Sequence, residues 1–248
     1  MKLYHLIVYL SRLTVNAVIC GFSVKNLYSS NAYYSPDRCA AVDACFSPGY
    51  RAPMIFGVII GHTGKSTHPS DRGASYRHPS GVEVREVDAV MRYAQALDGA
   101  LLAAGHAALL LTDGTYRERS LRAKKREASA LLNCHVNAGL HGLPGQRSEI
   151  YYWPRSVKGL ALANDLADAL RVVVPWQDVR VTAAEVGPRL DATRAANVRA
   201  CIDGAVTPSI CVEPFFCDAL NADQILSDGT LDRIGGALAQ GLIAWGKR

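Results

Sequence analysis

Residues 130–138, Ala-Leu-Leu-Asn-Cys-His-Val-Asn-Ala, set the expectation for the fold. A short apolar run leads into a histidine and an asparagine, and three glycines follow closely, Gly139, Gly142 and Gly145. Such a run is typical of a buried strand that presents its last side chains at a sheet edge. Ligands bind outside the carboxyl ends of strands in open α/β sheets. The pattern therefore places His135 where chemistry is expected.

Two other predicted strands also end in a polar side chain after an apolar run. Residues 54–60 stop at Gly61-His62, and residues 209–212 stop at Glu213. Residues 83–104 repeat apolar side chains at helical spacing and end at Gly105, a position that favours glycine. Further strands are predicted at residues 107–112 and 149–153, and further helices at 117–129, 157–171, 192–202 and 231–245. This alternation predicts one α/β domain with a mostly parallel or mixed sheet flanked by helices.

Composition and cysteine content are those of an ordinary globular protein. Of the 248 residues, 49% are hydrophobic and 20% are charged, and the formal net charge is +5. This charge fits an anionic partner such as nucleic acid or bacterial cell wall, but the basic residues at 117–126 resemble a solvated helix face. The seven cysteines form no CxxC pair, so we expect free thiols and a reducing folding compartment. Cys134 and Cys211 are expected in the core, with Cys134 pointing away from His135.

The first 53 residues differ in composition from the rest of the chain. Ser11 and Arg12 interrupt the apolar stretches, so no unbroken membrane span of about 20 residues is present. Lys2 and the short apolar run after it resemble a weak signal sequence, whereas residues 28–50 have the composition of a loop or disordered linker. We therefore expect an N-terminal extension over residues 1–53 and a folded domain over residues 54–248.

Two histidines at strand ends are candidates for a metal site. His62 and His135 could each be structural, but together at one edge they suit catalytic zinc, which takes three protein ligands from His, Glu or Asp. No HExxH motif is present, so distant strands must assemble the site. The third ligand could be Glu83 or Glu86. Ser80 and Glu83 have the spacing of a capping box, which leaves Glu86 free for the site. Glu86 could equally be an acidic residue favoured by the helix dipole.

Glu213 is an acidic residue at the end of an apolar strand. Pro214 follows it and favours an extended backbone, which keeps Glu213 in line with the strand. A partly buried carboxylate is costly without a partner. Glu213 is therefore a general base, a metal ligand, or one half of a salt bridge with a nearby arginine.

Several short motifs occur in a fixed order along the chain. They are Ile60-Gly61-His62, Asp71-Arg72-Gly73-Ala74, Glu86, Arg119 with Ala123, Cys134-His135-Val136-Asn137-Ala138 and Val212-Glu213-Pro214-Phe215-Phe216. Over residues 54–248 this set resembles the zinc-dependent N-acetylmuramoyl-L-alanine amidases, a family with a His-Glu-His metal site and a separate catalytic glutamate. In that family an alanine and a leucine follow the glutamate ligand at the offsets of Ala94 and Leu97 from Glu86.

The resemblance implies a phosphorylase/hydrolase-like, three-layer α/β fold with one Zn²⁺ per chain. His62, Glu86 and His135 would hold the zinc. The implied reaction is hydrolysis of the amide between N-acetylmuramic acid and L-alanine in peptidoglycan, with Glu213 as the catalytic acid–base residue. The hydrolase would degrade cell wall, as an endolysin or an autolysin.

The resemblance also gives expectations for other residues and for partners. Asn137 is expected to bind substrate, and Arg119 to brace its helix. Departures from the family pattern at Thr63-Gly64, Lys124, Asn133 and Ala219 concern substrate positioning rather than ligands. Peptidoglycan is the expected partner, with no nucleic acid and no stable membrane span. The expected place of action is the cell wall, periplasmic or extracellular, with synthesis in the cytoplasm as a lysin as one route.

Two other function classes remain open at this point. A zinc carboxypeptidase or peptidase of related fold would need an arginine for the terminal carboxylate, and Arg189 and Arg194 are candidates. A non-catalytic cell-wall-binding protein would tolerate the loss of Glu213, so the presence of this acid counts against that class.

Overall fold

The computed structural model describes residues 52–63, 73–203, 206–227 and 229–248. The predicted N-terminal extension lies almost wholly outside these ranges, as do Asp71 and Arg72 of the second motif. Residues Pro53–Arg248 form one compact unit. Within the described ranges, no helix is long and apolar enough to cross a membrane.

A six-stranded sheet forms the middle of the fold. The strands in chain order are β1 Ile55–Ile60, β2 Ser75–Arg77, β3 Glu83–Arg85, β4 Ala107–Leu111, β5 Ala130–Cys134, β6 Arg147–Tyr152, β7 Asp178–Ala183 and β8 Ser209–Glu213. The main sheet has the order β4-β1-β5-β8-β6-β7, and β2 and β3 form a separate antiparallel hairpin. All neighbours in the main sheet are parallel except β6 and β8. Because β6 is reversed, the segment 138–146 leaves β5 and enters β6 at the same edge of the sheet.

Within the described ranges, six helices cover the two faces of this sheet. They are α1 Glu86–Ala103, α2 Tyr116–Lys125, α3 Val157–Val173, α4 Ala192–Ile202, α5 Ala222–Ser227 and α6 Thr230–Gly246. The largest apolar core joins α1, α3 and α6 to one face, and two smaller cores join α2 and α4 to the other. The predicted three-layer α/β fold with a mixed sheet is therefore confirmed.

Alternation along β5 explains which side chains reach the core and which reach the edge. Leu132 and Cys134 lie in the large core, whereas Leu131 lies in a core on the opposite face. By the same alternation His135 follows on the face opposite Cys134, as predicted. Four cysteines in the described ranges are free, namely Cys134, Cys201, Cys211 and Cys217.

The start of the long helix differs from the prediction. The helix begins at Glu86 rather than residue 83, because Val84 is buried in the core and pairs with Tyr76 across the β2–β3 hairpin. The predicted capping box is wrong: the residue before the helix is Arg85 and makes no side-chain cap bond. Ser80 Oγ instead donates to Asp223, 2.7 Å away.

Candidate active site

The three predicted ligands, His62, Glu86 and His135, lie together at the carboxyl edge of the sheet. β1 and β5 are parallel neighbours, so the histidines that follow them meet, with ring centroids 5.0 Å apart. Glu86, the first residue of α1, points its carboxylate between them. Its Oε1 lies 3.0 Å from His135 Nδ1 and 3.5 Å from His62 Nε2. One donor atom from each residue falls within 4.8 Å of the others, so the cluster can bind a metal ion.

Backbone amides hold the Glu86 carboxylate in place. The amide of Val136 donates to Oε1 at 3.0 Å and the amide of Ala74 donates to Oε2 at 2.8 Å. In return the Glu86 amide donates to the Ala74 carbonyl at 2.9 Å. Burial acts to raise the pKa of this carboxyl, but the His135 hydrogen bond, both histidine charges and the Val136 amide together lower it. Glu86 is thus an anion before any metal arrives.

Tyrosines from two helices orient His135. Tyr93 of α1 donates its hydroxyl to the His135 carbonyl at 2.9 Å, and the Tyr116 hydroxyl of α2 lies 3.3 Å from Nε2. Burial acts to lower the pKa of His135, but hydrogen bonds with Cys201 and Glu86 outweigh it and raise the pKa. A metal that binds this imidazole must displace the proton, because metal ligands are neutral imidazoles.

Arg119 of α2 fixes the end of β1 through hydrogen bonds. Its buried guanidinium donates to the carbonyls of Ile60 and Thr112, both at 2.7 Å, and to Thr63 Oγ1 at 3.0 Å. His62 between these anchors has a left-handed φ of 54°, uncommon for a residue other than glycine. Arg119, predicted to brace its helix, thus ties the ends of β1 and β4 and fixes the turn that carries His62.

Two glycines make room for the cluster, and its donors suit zinc. A Cβ on Gly73 would lie 2.4 Å from Glu86 Oε2, and one on Gly61 would lie 2.6 Å from His135 Cε1. Two imidazole nitrogens and one carboxylate oxygen form a donor set typical of catalytic zinc, which leaves a coordination position for water or substrate. The residues present therefore fit this ion.

Glu213 lies at the same edge, at the end of β8 beside β5. It is 7% exposed, and its Oε2 accepts a hydrogen bond from Arg194 of α4. Burial raises the pKa of Glu213 to about 7, with Arg194 and His135 acting in the opposite direction. Glu213 was interpreted as a general base, a metal ligand or one half of a salt bridge, and the structure shows the salt bridge. A salt bridge with Arg194 is compatible with a role as general base.

A second carboxylate, Glu149, faces Glu213 across the antiparallel pair β6–β8. Arg147 Nε donates to Glu149 Oε1 at 2.8 Å, and the Tyr151 hydroxyl donates to Oε2. Asn137 Nδ2 also donates to Oε2, at 2.6 Å, while Asn137 Oδ1 accepts from Arg194 Nη2 at 2.9 Å. Asn137 is 3% exposed, so in this structure its amide orients the two charges rather than facing solvent.

Three contributors to this edge were missed by the sequence prediction: Arg147, Glu149 and Tyr151. The strand itself was expected, but only its reversed direction brings its first residues to the carboxyl edge of β8. Of the two candidate arginines, Arg194 reaches the site, whereas exposed Arg189 bonds the Val181 carbonyl at 3.3 Å.

The segment 138–146 is attached to the chain after β8. The Asp218 carboxylate accepts the amides of Gly139 and His141, both at 2.8 Å. Gln146 donates to the Phe216 carbonyl at 3.1 Å and accepts its amide at 2.7 Å. The two ends of the segment are therefore fixed beside Glu213.

Several solved structures share this fold. Amidase AmiC2 of Nostoc punctiforme is 19% identical with a TM-score of 0.59, over 79% of this chain and 98% of that chain. An N-acetylmuramoyl-L-alanine amidase from Clostridium difficile 630 is 18% identical with a TM-score of 0.60, over 79% and 97%. The CwlV catalytic domain from Bacillus (Paenibacillus) polymyxa var. colistinus is 16% identical with a TM-score of 0.59, over 78% and 98%. A search of curated proteins found no match.

The sequence also matches a family model described as N-acetylmuramoyl-L-alanine amidase, over residues 57–244. This range contains both histidines and the glutamate of the cluster, together with Glu213 and its arginine partner. Since the match spans most of the chain and the fold agrees, the chain belongs to the N-acetylmuramoyl-L-alanine amidase family.

Proposed function

We propose that this amidase cleaves the bond between N-acetylmuramic acid and L-alanine in peptidoglycan with one Zn²⁺ per chain. His62, Glu86 and His135 hold the ion, and Glu213 transfers the proton. The observation that carries the proposal is that His62, His135 and Glu213 follow the adjacent strands β1, β5 and β8 at one edge. Glu86, at the start of α1, completes the three-ligand cluster there.

Zinc bound by these residues supplies a Lewis acid that polarises the amide carbonyl and lowers the pKa of the attacking water. Contacts with the rest of the chain stabilise Glu86 as an anion and orient His135. Val136 and Ala74 amides stabilise the Glu86 anion, and the Tyr116 hydroxyl can accept the Nε2 proton of neutral His135.

Glu213 takes the proton of the attacking water and returns it to the leaving amine of L-alanine. Its position supports this role, since β8 pairs in parallel with β5 and ends at the same edge as His135. A pKa of about 7 suits a group that must accept and then release a proton near neutral pH. Asn137, predicted to bind substrate, accepts a hydrogen bond from Arg194 and so helps to hold the guanidinium beside Glu213.

Product analysis tests the bond that is cut. Purified peptidoglycan treated with the enzyme is expected to release peptides with new N-terminal alanine and to gain no reducing sugar ends. New reducing ends would show a glycosidase, and other new amino termini would show the peptidase or carboxypeptidase alternative. Binding to the wall without any cleavage by metal-loaded protein would support the non-catalytic alternative.

We also propose that residues 54–248 are the catalytic domain and act on the wall in a periplasmic or extracellular space. The main sheet, the three proposed metal ligands and Glu213 lie within Pro53–Arg248. A chain that begins at Met54 is expected to fold and to cleave peptidoglycan at the rate of the full chain. An insoluble or inactive product would show that part of the first 53 residues belongs to the domain.

A further inference from the structure

Two carboxylates of the site face each other directly. Glu149 and Glu213 are register partners in the antiparallel pair β6–β8, so their side chains leave the sheet on the same face. Like charges in directly opposed positions destabilise a sheet pair. Arg194 lies between them and bonds Glu213 Oε2, with Glu149 Oε2 3.9 Å away. The arrangement needs at least one cation at this point.

The two carboxylates have unequal sets of partners. Glu149 accepts hydrogen bonds from Arg147, Tyr151 and Asn137, and its ion pair with Arg194 is longer, at 3.9 Å. Glu213 has its charge-assisted bond from Arg194. The closer contact of Arg194 is thus with Glu213, and this bond occupies an oxygen of the proposed proton acceptor.

Arg194 is the more accessible member of this pair. About a third of its side chain is exposed (35%), against 10% for Glu213. It lies in the first turn of α4, where its amide donates to the helix-capping Asp191 at 2.7 Å. An approaching carboxylate can pair with a guanidinium through two parallel hydrogen bonds, and the positive end of a helix favours an anion there.

We propose that Arg194 determines specificity by binding a carboxylate of the stem peptide beside the scissile amide, in exchange for Glu213. The exchange frees the Glu213 oxygen for the water proton at the moment when substrate is in place. This assignment rests on the proposed amidase function and names the substrate class within it: stems with a free carboxylate near the cut, rather than stems whose carboxylate is an amide.

Three muramyl dipeptides test the assignment. One ends in L-alanyl-isoglutamate, the second has the α-carboxylate as a carboxamide, and the third has the terminal γ-carboxylate as a carboxamide. For wild type, kcat/KM with the first dipeptide is expected to exceed that with one of the two carboxamides by about 10- to 100-fold. This is the effect expected when a hydrogen bond to a charged group is lost. The slower amide identifies which carboxylate Arg194 binds.

Variants of Arg194 separate recognition from packing. Arg194→Gln is expected to abolish the preference for the free carboxylate. Arg194→Lys is expected to keep part of it, since lysine retains the positive charge but cannot form two parallel hydrogen bonds with a carboxylate. The matched control is Arg189→Gln, which removes an exposed arginine that contacts β7 and leaves the preference unchanged.

A binding measurement keeps the test independent of turnover. Glu213→Gln removes the competing carboxylate, so it is expected to bind the preferred dipeptide more tightly than wild type does, and the matching amide equally. Equal cleavage of all three dipeptides by wild type, or an equal fall on all three in Arg194→Gln, overturns the assignment while leaving the amidase function intact. Cleavage at another bond contradicts the proposed function and this assignment with it.

Discussion

Glu86 and Glu213 are both buried at the same sheet edge, yet their pKa values shift in opposite directions. They are 3% and 7% exposed. Glu86 accepts two backbone amides and a histidine, which outweigh burial and lower its pKa. Glu213 accepts a hydrogen bond from Arg194, but burial prevails and its pKa rises to about 7.

The opposite pKa shifts of Glu86 and Glu213 therefore come from their different hydrogen-bond donors and not from a difference in burial. A carboxylate with fixed donors on both oxygens remains an anion and suits a metal. A carboxylate with one movable partner can gain and lose a proton. Two carboxylates at one edge thus have different electrostatic environments, which suit the different roles proposed for them.

The largest effect is expected for Glu86→Gln. The neutral amide cannot replace the anion that two backbone amides and two histidines surround, so metal content should fall towards zero and activity with it. Metal analysis of the purified variant, with a peptidoglycan cleavage assay, measures both.

The matched control is Glu83→Gln. Glu83 lies three residues earlier and forms a 3.6 Å ion pair with Arg77 at the surface. Because it caps no helix, the variant should keep its metal and lose less than about 0.5 kcal/mol of unfolding free energy. Metal loss in this variant and not in Glu86→Gln would reverse the assignment of the two glutamates.

Glu213→Gln should come next. Loss of one acid–base group lowers kcat by about 10²- to 10⁴-fold. Metal content should stay that of wild type, because Glu213 is outside the ligand cluster. A variant that retains wild-type kcat would refute the proton-transfer role.

The pH dependence should show a smaller, graded effect. The ionised form of Glu213 is the base, so kcat/KM should fall about tenfold per unit as pH drops below its pKa. That pKa is about 7 without metal, and a bound cation lowers it. Arg194 stabilises the anion, so Arg194→Gln should move this acidic limb to higher pH. If the acidic limb of the pH profile stays at the same pH in Arg194→Gln, the titrating group is not Glu213.

The smallest effect is expected for Tyr116→Phe. The change removes the hydroxyl 3.3 Å from His135 Nε2 and leaves the ring in place. Loss of such an outer partner costs about 10- to 100-fold in metal affinity. Competition with a chelator at several concentrations measures it. Unchanged affinity would assign the orientation of His135 to its other contacts, among them Tyr93 and Glu86.

The sequence predicted those parts of the fold that depend on local pattern. Apolar runs at β1, β5 and β8 each end in a polar residue, and parallel pairing brings His62, His135 and Glu213 to one edge. Glu86 was selected for the wrong reason. Its helix begins at that residue because the β2–β3 hairpin uses the preceding three.

The remainder of the site depends on relations that no local pattern contains. The direction of β6 decides whether Glu149 faces Glu213, and a run of alternating residues reads the same in both directions. The edge strand β7 mixes charged residues with its two valines, which hides it from a search for apolar runs. Arg194 and Arg189 were both candidates from the sequence, and only the packing of α4 beside β8 distinguishes them.

The reversed strand β6 has a consequence for how substrate preference can change. The segment 138–146 both starts and ends at the reactive edge, and Asp218 and Gln146 anchor it there. Leu143 lies between the anchors and is 63% exposed. His62, Glu86 and His135 all lie outside this segment. A change of sequence between those anchors would therefore alter an exposed surface at this edge without replacing any residue of the His62–Glu86–His135 cluster.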